Sequence, residues 1–205
     1  MPDHYYTQTP TSAHKPGQVD FLWRGAKLVF ETDSGVFSRT EIDKGTEILL
    51  NALPEELTGS LLDMGCGYGV IGVTLGKRYP GLSVVMSDVN ERAVELSRRN
   101  AQRNGVPARV MQSDGYADVP FQRMDWIVQN PPIRAGKSVI YAMFAEGARR
   151  LEPSGELWLV IRKQQGAESA VRYLETLFGR VEAVSKKGGF WVLRCTQPAE
   201  RPDEE

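Results

Sequence analysis

Cysteine and histidine are both scarce in this chain, two of each in 205 residues. Cys66 and Cys195 lie far apart, and His4 and His14 both fall near the start, so neither a disulfide framework nor a metal-ligand cluster is expected. Long apolar runs are missing as well. None approaches the roughly 18 residues that a membrane-spanning helix requires, and "MPDHYYTQTP" has no apolar signal core. Neither sign of charge is in excess: 25 Lys and Arg against 26 Asp and Glu give a formal net charge of -1. No global field therefore draws the protein to nucleic acid, and any such contact must come from local patches. These absences predict a cytoplasmic protein with free thiols. Its 41% hydrophobic content predicts one domain with a proper core.

What is present has a clear order. Residues 1–15 are polar and expected to be mobile. "VDFLWRGAKLVFETDSGVF" holds two short apolar runs around Arg24-Gly25, a hairpin signal. "DKGTEILLNALPEEL" reads as a helix capped by the Asp43 carboxylate and stopped near Pro54. From Gly59 onward strands and helices alternate. "SLLDMG", "SVVMSD", "ARVMQSD", "RMDWIVQN" and "ELWLVI" are strands; the last is apolar throughout, as in a parallel strand covered on both faces. Helices are expected from about Val70 to Arg78 and from the Asn90 cap to Gly105. In a third, Val139, Ile140, Met143, Phe144, Gly147, Ala148 and Leu151 share one face. The order predicts a doubly wound α/β sheet. "GRVEAVS" and "GFWVLRC" are separated only by Lys186-Lys187-Gly188-Gly189, too few residues for a parallel crossover, so they must be antiparallel. The expected organisation is an extension over 1–57, a catalytic unit over 58–195 and a disordered tail over 196–205, with no repeat and no second domain.

The chemistry is concentrated in two loops. "LLDMGCGYGVIG" contains Asp63, Gly65, Gly67, Gly69 and Gly72 before a helix, glycines that let backbone approach a ligand closely. Asp88, ending the next strand, can accept hydrogen bonds from both hydroxyls of a ribose. Gly67 to Gly72 is literally G-x-G-x-x-G, which also fits a dinucleotide and hence a nicotinamide oxidoreductase. Asp63 separates the two ligands. An acid before the glycines would repel a pyrophosphate, whereas an ammonium and a sulfonium would welcome it, which favours S-adenosylmethionine.

"DMGCGYG", "SDVNERA", "QSDGYAD" and "NPPI" together resemble a class I S-adenosylmethionine-dependent methyltransferase. The resemblance implies a seven-stranded, mostly parallel Rossmann-like sheet ending in an antiparallel hairpin. More narrowly, "TDSGVFSRTEIDKGTEILL" and "NPPIRAGK" are similar to the bacterial ribosomal small-subunit guanine-N2 methyltransferases, over about residues 4 to 195. Two features depart from that family. Its best-known members carry two tandem halves and this chain only the catalytic one, and their tetrapeptide ends in an aromatic residue where this one ends in Ile133.

The resemblance implies that Asn130 and Pro131 supply two oxygen acceptors, side-chain and backbone, for the hydrogens of a planar amino group. Such acceptors pull the delocalised nitrogen toward a tetrahedral shape and aim its lone pair. Proline suits the task because it fixes φ near -65° and brings no N–H, and the residue before each proline is pushed toward extended conformations. Asn130, Pro131, Pro132 and Ile133 are thus the catalytic candidates. Asp63, Gly65, Cys66, Gly67, Gly69, Asp88, Val89, Asn90, Asp114, Gly115, Asn130 and Phe37, with Ser38, are the cofactor candidates. Cys66 is expected to be a small loop residue and not a nucleophile; Trp126, Trp158 and Trp191 are expected in the core. Arg39, Lys44, Arg134, Lys137 and Lys163 flank the expected mouth, where they could meet RNA phosphates. The implied activity is methylation of guanine N2 in ribosomal RNA or the small subunit, on a base presented unpaired. Adenine N6, a glutamine amide, or a non-catalytic cofactor-binding subunit remain as alternatives.

Overall fold

A computed structural model describes residues 7–120 and 122–199. His4, the first six residues and the tail from 200 onward lie outside the described residues. The chain runs β1 (Gly17–Trp23), β2 (Ala26–Thr32), α1 (Lys44–Ala52), β3 (Gly59–Met64), α2 (Val70–Arg78), β4 (Leu82–Asp88), α3 (Glu91–Asn104) and β5 (Ala108–Gln112). It continues through β6 (Met124–Gln129), α4 (Lys137–Arg149), β7 (Leu151–Arg162), α5 (Ala167–Leu174), β8 (Phe178–Lys187) and β9 (Phe190–Pro198).

Seven strands form one sheet in the order β5-β4-β3-β6-β7-β9-β8, parallel as far as β7 and antiparallel in the last two steps. This is the doubly wound methyltransferase-type sheet with the reversed C-terminal hairpin that the sequence led one to expect. Connections leave β3 toward β4 and β5, then return across it to β6 and β7. The switch point therefore lies between β3 and β6, and ligands of such sheets bind beyond the carboxyl ends of the strands at that point.

Apolar residues cover both faces of the sheet. On one, Leu61, Val128 and Trp158 pack with Leu49 of α1, Val73 and Leu75 of α2, and Leu28 and Phe30 of β2. On the other, Leu62, Ile127 and Leu159 meet Phe144 of α4 and Leu174 of α5. The β1–β2 hairpin turns on Arg24 (φ 44°) and Gly25 (φ 81°), the left-handed pair of a tight two-residue connection. Two asparagines one turn apart on α3 hold this hairpin. Asn104 accepts the Val29 N–H and donates to its carbonyl (3.1 and 2.9 Å), while Asn100 does the same for Glu31 (2.7 and 2.9 Å).

Several boundaries differ from the sequence expectation. Leu151 is not on α4 but opens β7, because the helix is closed at Arg150 (φ -97°, ψ 8°). Helix α5 received no assignment from sequence. Strand β9 runs on to Pro198, with Thr196 opposite Arg180 and Pro198 opposite Phe178, so the first residues assigned to the tail are paired. Residues 8–12, expected to be mobile, are held against α3: Glu91 N–H donates to the Gln8 carbonyl, and the Arg92 guanidinium reaches the Ser12 and Ser34 carbonyls. Of the three tryptophans expected in the core only Trp158 is fully buried; Trp126 and Trp191 are half-buried, and Trp23 of β1 is a further buried one.

Candidate active site

A cavity of about 950 Å3 opens beyond the carboxyl ends of β3, β4, β5 and β6. That is the upper end of small-molecule site volumes, room for a nucleoside-sized cofactor and a second planar group. Of the residues singled out from sequence, Phe37, Ser38, Gly65, Cys66, Gly67, Asp88, Val89, Asp114, Gly115, Asn130, Pro131 and Pro132 line it.

The floor is the loop after β3. Gly65 (φ 72°) and Gly67 (φ 56°) take left-handed conformations, and a Cβ on either would meet no atom within 4 Å. Any larger residue would be strained and would project into free space beside the loop. Asp88 ends β4 with Oδ2 accepting the Gly67 N–H (2.8 Å) and Oδ1 accepting the Asn90 N–H (2.9 Å). Burial raises its pKa, opposed by the backbone N–H groups of Asn90, Gly67 and Val89. With three N–H donors on about four lone-pair sites, the carboxylate keeps a lone pair for a ligand hydroxyl. The Asp114 carboxylate makes no hydrogen bond among the described residues; its turn is closed by the backbone instead, Ala117 N–H to Asp114 carbonyl (3.2 Å).

Four predicted residues lie behind the cavity wall and not on it. Asp63 is fully buried, with Oδ2 accepting the Gly72 N–H (2.8 Å) and Oδ1 unpartnered. Burial pushes its pKa up to about 7, the Gly72 N–H opposing and the Asp88 charge adding. It can act on a bound cation through the field, not by contact. Gly69 caps α2 beneath the loop, where a Cβ would come 3.1 Å from Ser97 Oγ. Asn90 is fully buried because both ends of its amide are used: Oδ1 caps α3 at the Ala93 N–H, and Nδ2 donates to the Gly35 carbonyl (2.8 Å). It thereby ties the 33–38 loop, with Phe37, over the cavity. Ile133 packs against the α4-side core, so the final residue of the tetrapeptide is a core contact here.

Asn130 begins the loop after β6. Its Nδ2 donates to Asp43 Oδ2 (3.1 Å) and Thr46 Oγ1 (3.0 Å). A carboxylate only accepts, so the atom facing Asp43 must be the NH2 and the oxygen must face away. Asn130 Oδ1 accepts no hydrogen bond among the described residues. Asp43 is also the α1 cap, taking the Thr46 N–H at 2.9 Å through the same Oδ2. The Pro131 carbonyl, expected as the second acceptor, already accepts the Ile133 N–H (2.9 Å) across an inverse γ-turn at Pro132 (φ -75°, ψ 78°). One lone pair remains, and the turn fixes its direction.

Residues 27–194 match the family model of the methyltransferase small domain. The chain belongs to that family. It is an S-adenosylmethionine-dependent methyltransferase, and the glycine cradle with Asp88 fits that cofactor. Among relatives, the Bacillus subtilis (strain 168) protein YbxB, named as uncharacterized, is 44% identical over 198 residues, 95% of this chain and 98% of its own. The ribosomal RNA small subunit methyltransferase C of Hahella chejuensis is 42% identical over 170 residues, 77% of this chain but 49% of its own. A solved structure of the T. thermophilus 16S rRNA N2 G1207 methyltransferase, in complex with AdoMet and guanosine, superposes with a TM-score of 0.79 at 28% identity. The match covers 91% of this chain and 51% of that one. The chain thus spans about half the length of these methyltransferase C relatives.

This methyltransferase also lines its cavity with residues that the sequence did not single out as functional. Asp43 caps α1 and Thr46 lies in its first turn; Val139, Ala142, Met143 and Glu146 line the cavity from α4, with Arg150 at its end, so Val139, expected on the core face, is exposed here. An acid one turn from two apolar positions was the available signal for that lining. Glu146 is not free to act as a base, being held by Arg150 Nε at 2.7 Å. Burial raises the Cys66 thiol pKa well above its usual value, with the Asp88 and Asp63 charges adding, which suits a loop residue and not a nucleophile. No helix among the described residues is long and apolar enough to cross a membrane.

Proposed function

We propose that this chain transfers a methyl group to the exocyclic N2 of a guanine in small-subunit ribosomal RNA. The carrying observation is the polarity of Asn130: its NH2 is held by Asp43 and Thr46, so its oxygen is the atom offered to a substrate. Bound S-adenosylmethionine supplies an electrophilic methyl carbon. The Gly65–Gly67 backbone and Asp88 hold the donor, and Asp63 adds negative charge behind it.

Asn130 Oδ1 and the Pro131 carbonyl take the two N–H hydrogens of the incoming amino group. Gripping both turns the lone pair out of conjugation and toward the methyl carbon. Orientation of this kind is worth up to about 7–11 kcal/mol of barrier. As the methyl carbon passes from sulfur, which would leave as a neutral thioether, to the nitrogen held by Asn130 and Pro131, that nitrogen would become cationic and then shed a proton to water, so no carboxylate base is needed. That agrees with the engagement of Asp43, Asp88 and Glu146 in other bonds. A base paired in a duplex cannot reach two inward-facing acceptors, so the guanine must be unpaired or flipped out. A ribosomal substrate places the working protein in the cytoplasm.

Transfer of labelled methyl to naked rRNA, assembled small subunits and protein fractions tests the proposal. Label in N2-methylguanine, lost in Asn130→Ala, is expected. Label in adenine N6 or in a glutamine amide, or no transfer by the isolated chain, would overturn it.

A further inference from the structure

The reversed C-terminal hairpin has a spatial consequence. Because β9 runs antiparallel to β7 and β8 antiparallel to β9, the turn Lys186-Lys187-Gly188-Gly189 lies at the same sheet edge as the carboxyl ends that form the cavity. Lys163 N–H donates to the Gly189 carbonyl (2.9 Å), tying the turn to the end of β7. A Cβ on Gly188 would come 3.1 Å from Lys44 Cε, so the first residue of α1 reaches the turn from the other side. Arg162 lies over the Phe190 ring at 4.5 Å, and Lys186 Nζ over Trp191 at 4.1 Å. Five cations, Lys44, Arg162, Lys163, Lys186 and Lys187, therefore gather around the glycine pair, with the Lys44 side chain against Gly188.

All five are exposed, and none lies within 4.0 Å of a carboxylate among the described residues. That contrasts with Arg99, Arg103, Arg149, Arg150, Arg180 and Arg194, each paired with a glutamate. In a chain of net charge -1, this is a local concentration and not a general one. Gly188 is covered by the Lys44 side chain, but a Cβ on Gly189 would meet no atom within 4 Å, so another backbone can come close there. The ridge begins at Lys44, next to the residue that holds Asn130, and extends three strand spacings from β6 to β8, roughly 14 Å. A polyanion threaded along it would deliver one unit to the Asn130 loop while its neighbours stayed on the cations.

We propose that Lys44, Arg162, Lys163, Lys186 and Lys187, around the Gly188-Gly189 turn, form a docking ridge for the RNA phosphate backbone beside the nucleotide entering the cavity. This rests on the guanine-methylation reading above. The test is Lys163→Glu/Lys186→Glu/Lys187→Glu, with Arg109→Glu at the opposite, β5 edge as control. Binding of naked small-subunit rRNA is measured against salt, alongside S-adenosylhomocysteine affinity, kcat and KM. The triple variant should bind S-adenosylhomocysteine normally and keep kcat, while KM for RNA rises at least about tenfold. Its slope of log K against log salt should flatten by about 2, as three lost phosphate contacts require. The control should keep the wild-type slope. An unchanged slope in the triple variant overturns the ridge. So does loss of binding to polyglutamate with RNA binding intact, which would mark an acidic protein partner. If the wild type methylates no guanine, the functional reading fails, while the ridge still stands or falls on the slope.

Discussion

If Asn130 works by the direction of its amide, the residues that set that direction should control turnover without touching substrate. Thr46→Val is nearly isosteric and removes one acceptor of the Nδ2 pair, leaving the Thr46 N–H free to satisfy the Asp43 cap. Loss of one neutral hydrogen bond, about 1 kcal/mol, predicts a roughly fivefold fall in kcat. Asp43→Ser keeps a good helix cap but is too short to hold the amide. The bond it removes is charge-assisted, worth about 1.5–3 kcal/mol, so kcat should fall about 10- to 100-fold. With both anchors gone the amide can turn over and point NH2 groups at a substrate NH2, and activity should approach that of Asn130→Ala. Binding of S-adenosylhomocysteine and the urea midpoint should barely change, which separates this effect from damage to α1. Restoration by Asp43→Asn, whose side-chain oxygen can still accept, is expected. A Thr46→Val/Asp43→Ser protein with wild-type kcat, beside an inactive Asn130→Ala, would refute the reasoning.

Three further outcomes follow from the geometry. Asp63, raised by burial to about 7 from 3.8, binds its proton more tightly folded than unfolded. The free energy of unfolding should therefore fall as pH rises from about 4 to 7, by up to about 4 kcal/mol, and Asp63→Asn should flatten that profile in denaturant titrations. A cationic donor favours the ionised form, so its affinity, followed by calorimetry, should rise through the same pH range and lose this dependence in the variant. Gly67→Ala places a Cβ at φ 56° in open space at a residue that lines the cavity, so donor affinity should drop at least about tenfold for a stability loss of about 1 kcal/mol. Asn104→Ala leaves the Val29 N–H and carbonyl without their partner and should cost about 1–3 kcal/mol in urea denaturation, with kcat nearly unchanged.

Much of the sheet was legible because its signals are local. Apolar strands end in glycine or acid, the Asn90 and Gly105 caps bound α3, and a four-residue linker forces the last two strands to reverse. Helix α5 was missed because its stripe is only Ala167, Ala170 and Leu174 within eight residues, too short for a period to emerge. Leu151 was misplaced because it continues the apolar spacing of α4 past the point where Arg150 closes the helix. Within the site, the glycine loop and the Asn-Pro-Pro loop stand out by composition. The bond from Asp43 to Asn130 spans 87 residues and is invisible to any window, and Asp43 already had a sufficient explanation as a cap. The burial of Asp63 and Asn90 was equally hidden, since sequence shows which groups are polar but not which neighbours consume them.

The two α3 asparagines carry one more implication. Val29 and Glu31 turn their outward N–H and carbonyl groups away from β1, and amide side chains occupy all four. An open strand margin ordinarily invites a neighbouring molecule to zip alongside and begin a fibre. Here that invitation is withdrawn by groups belonging to the same molecule, so replacing both asparagines should make the protein self-associate at concentrations where the parent remains dispersed.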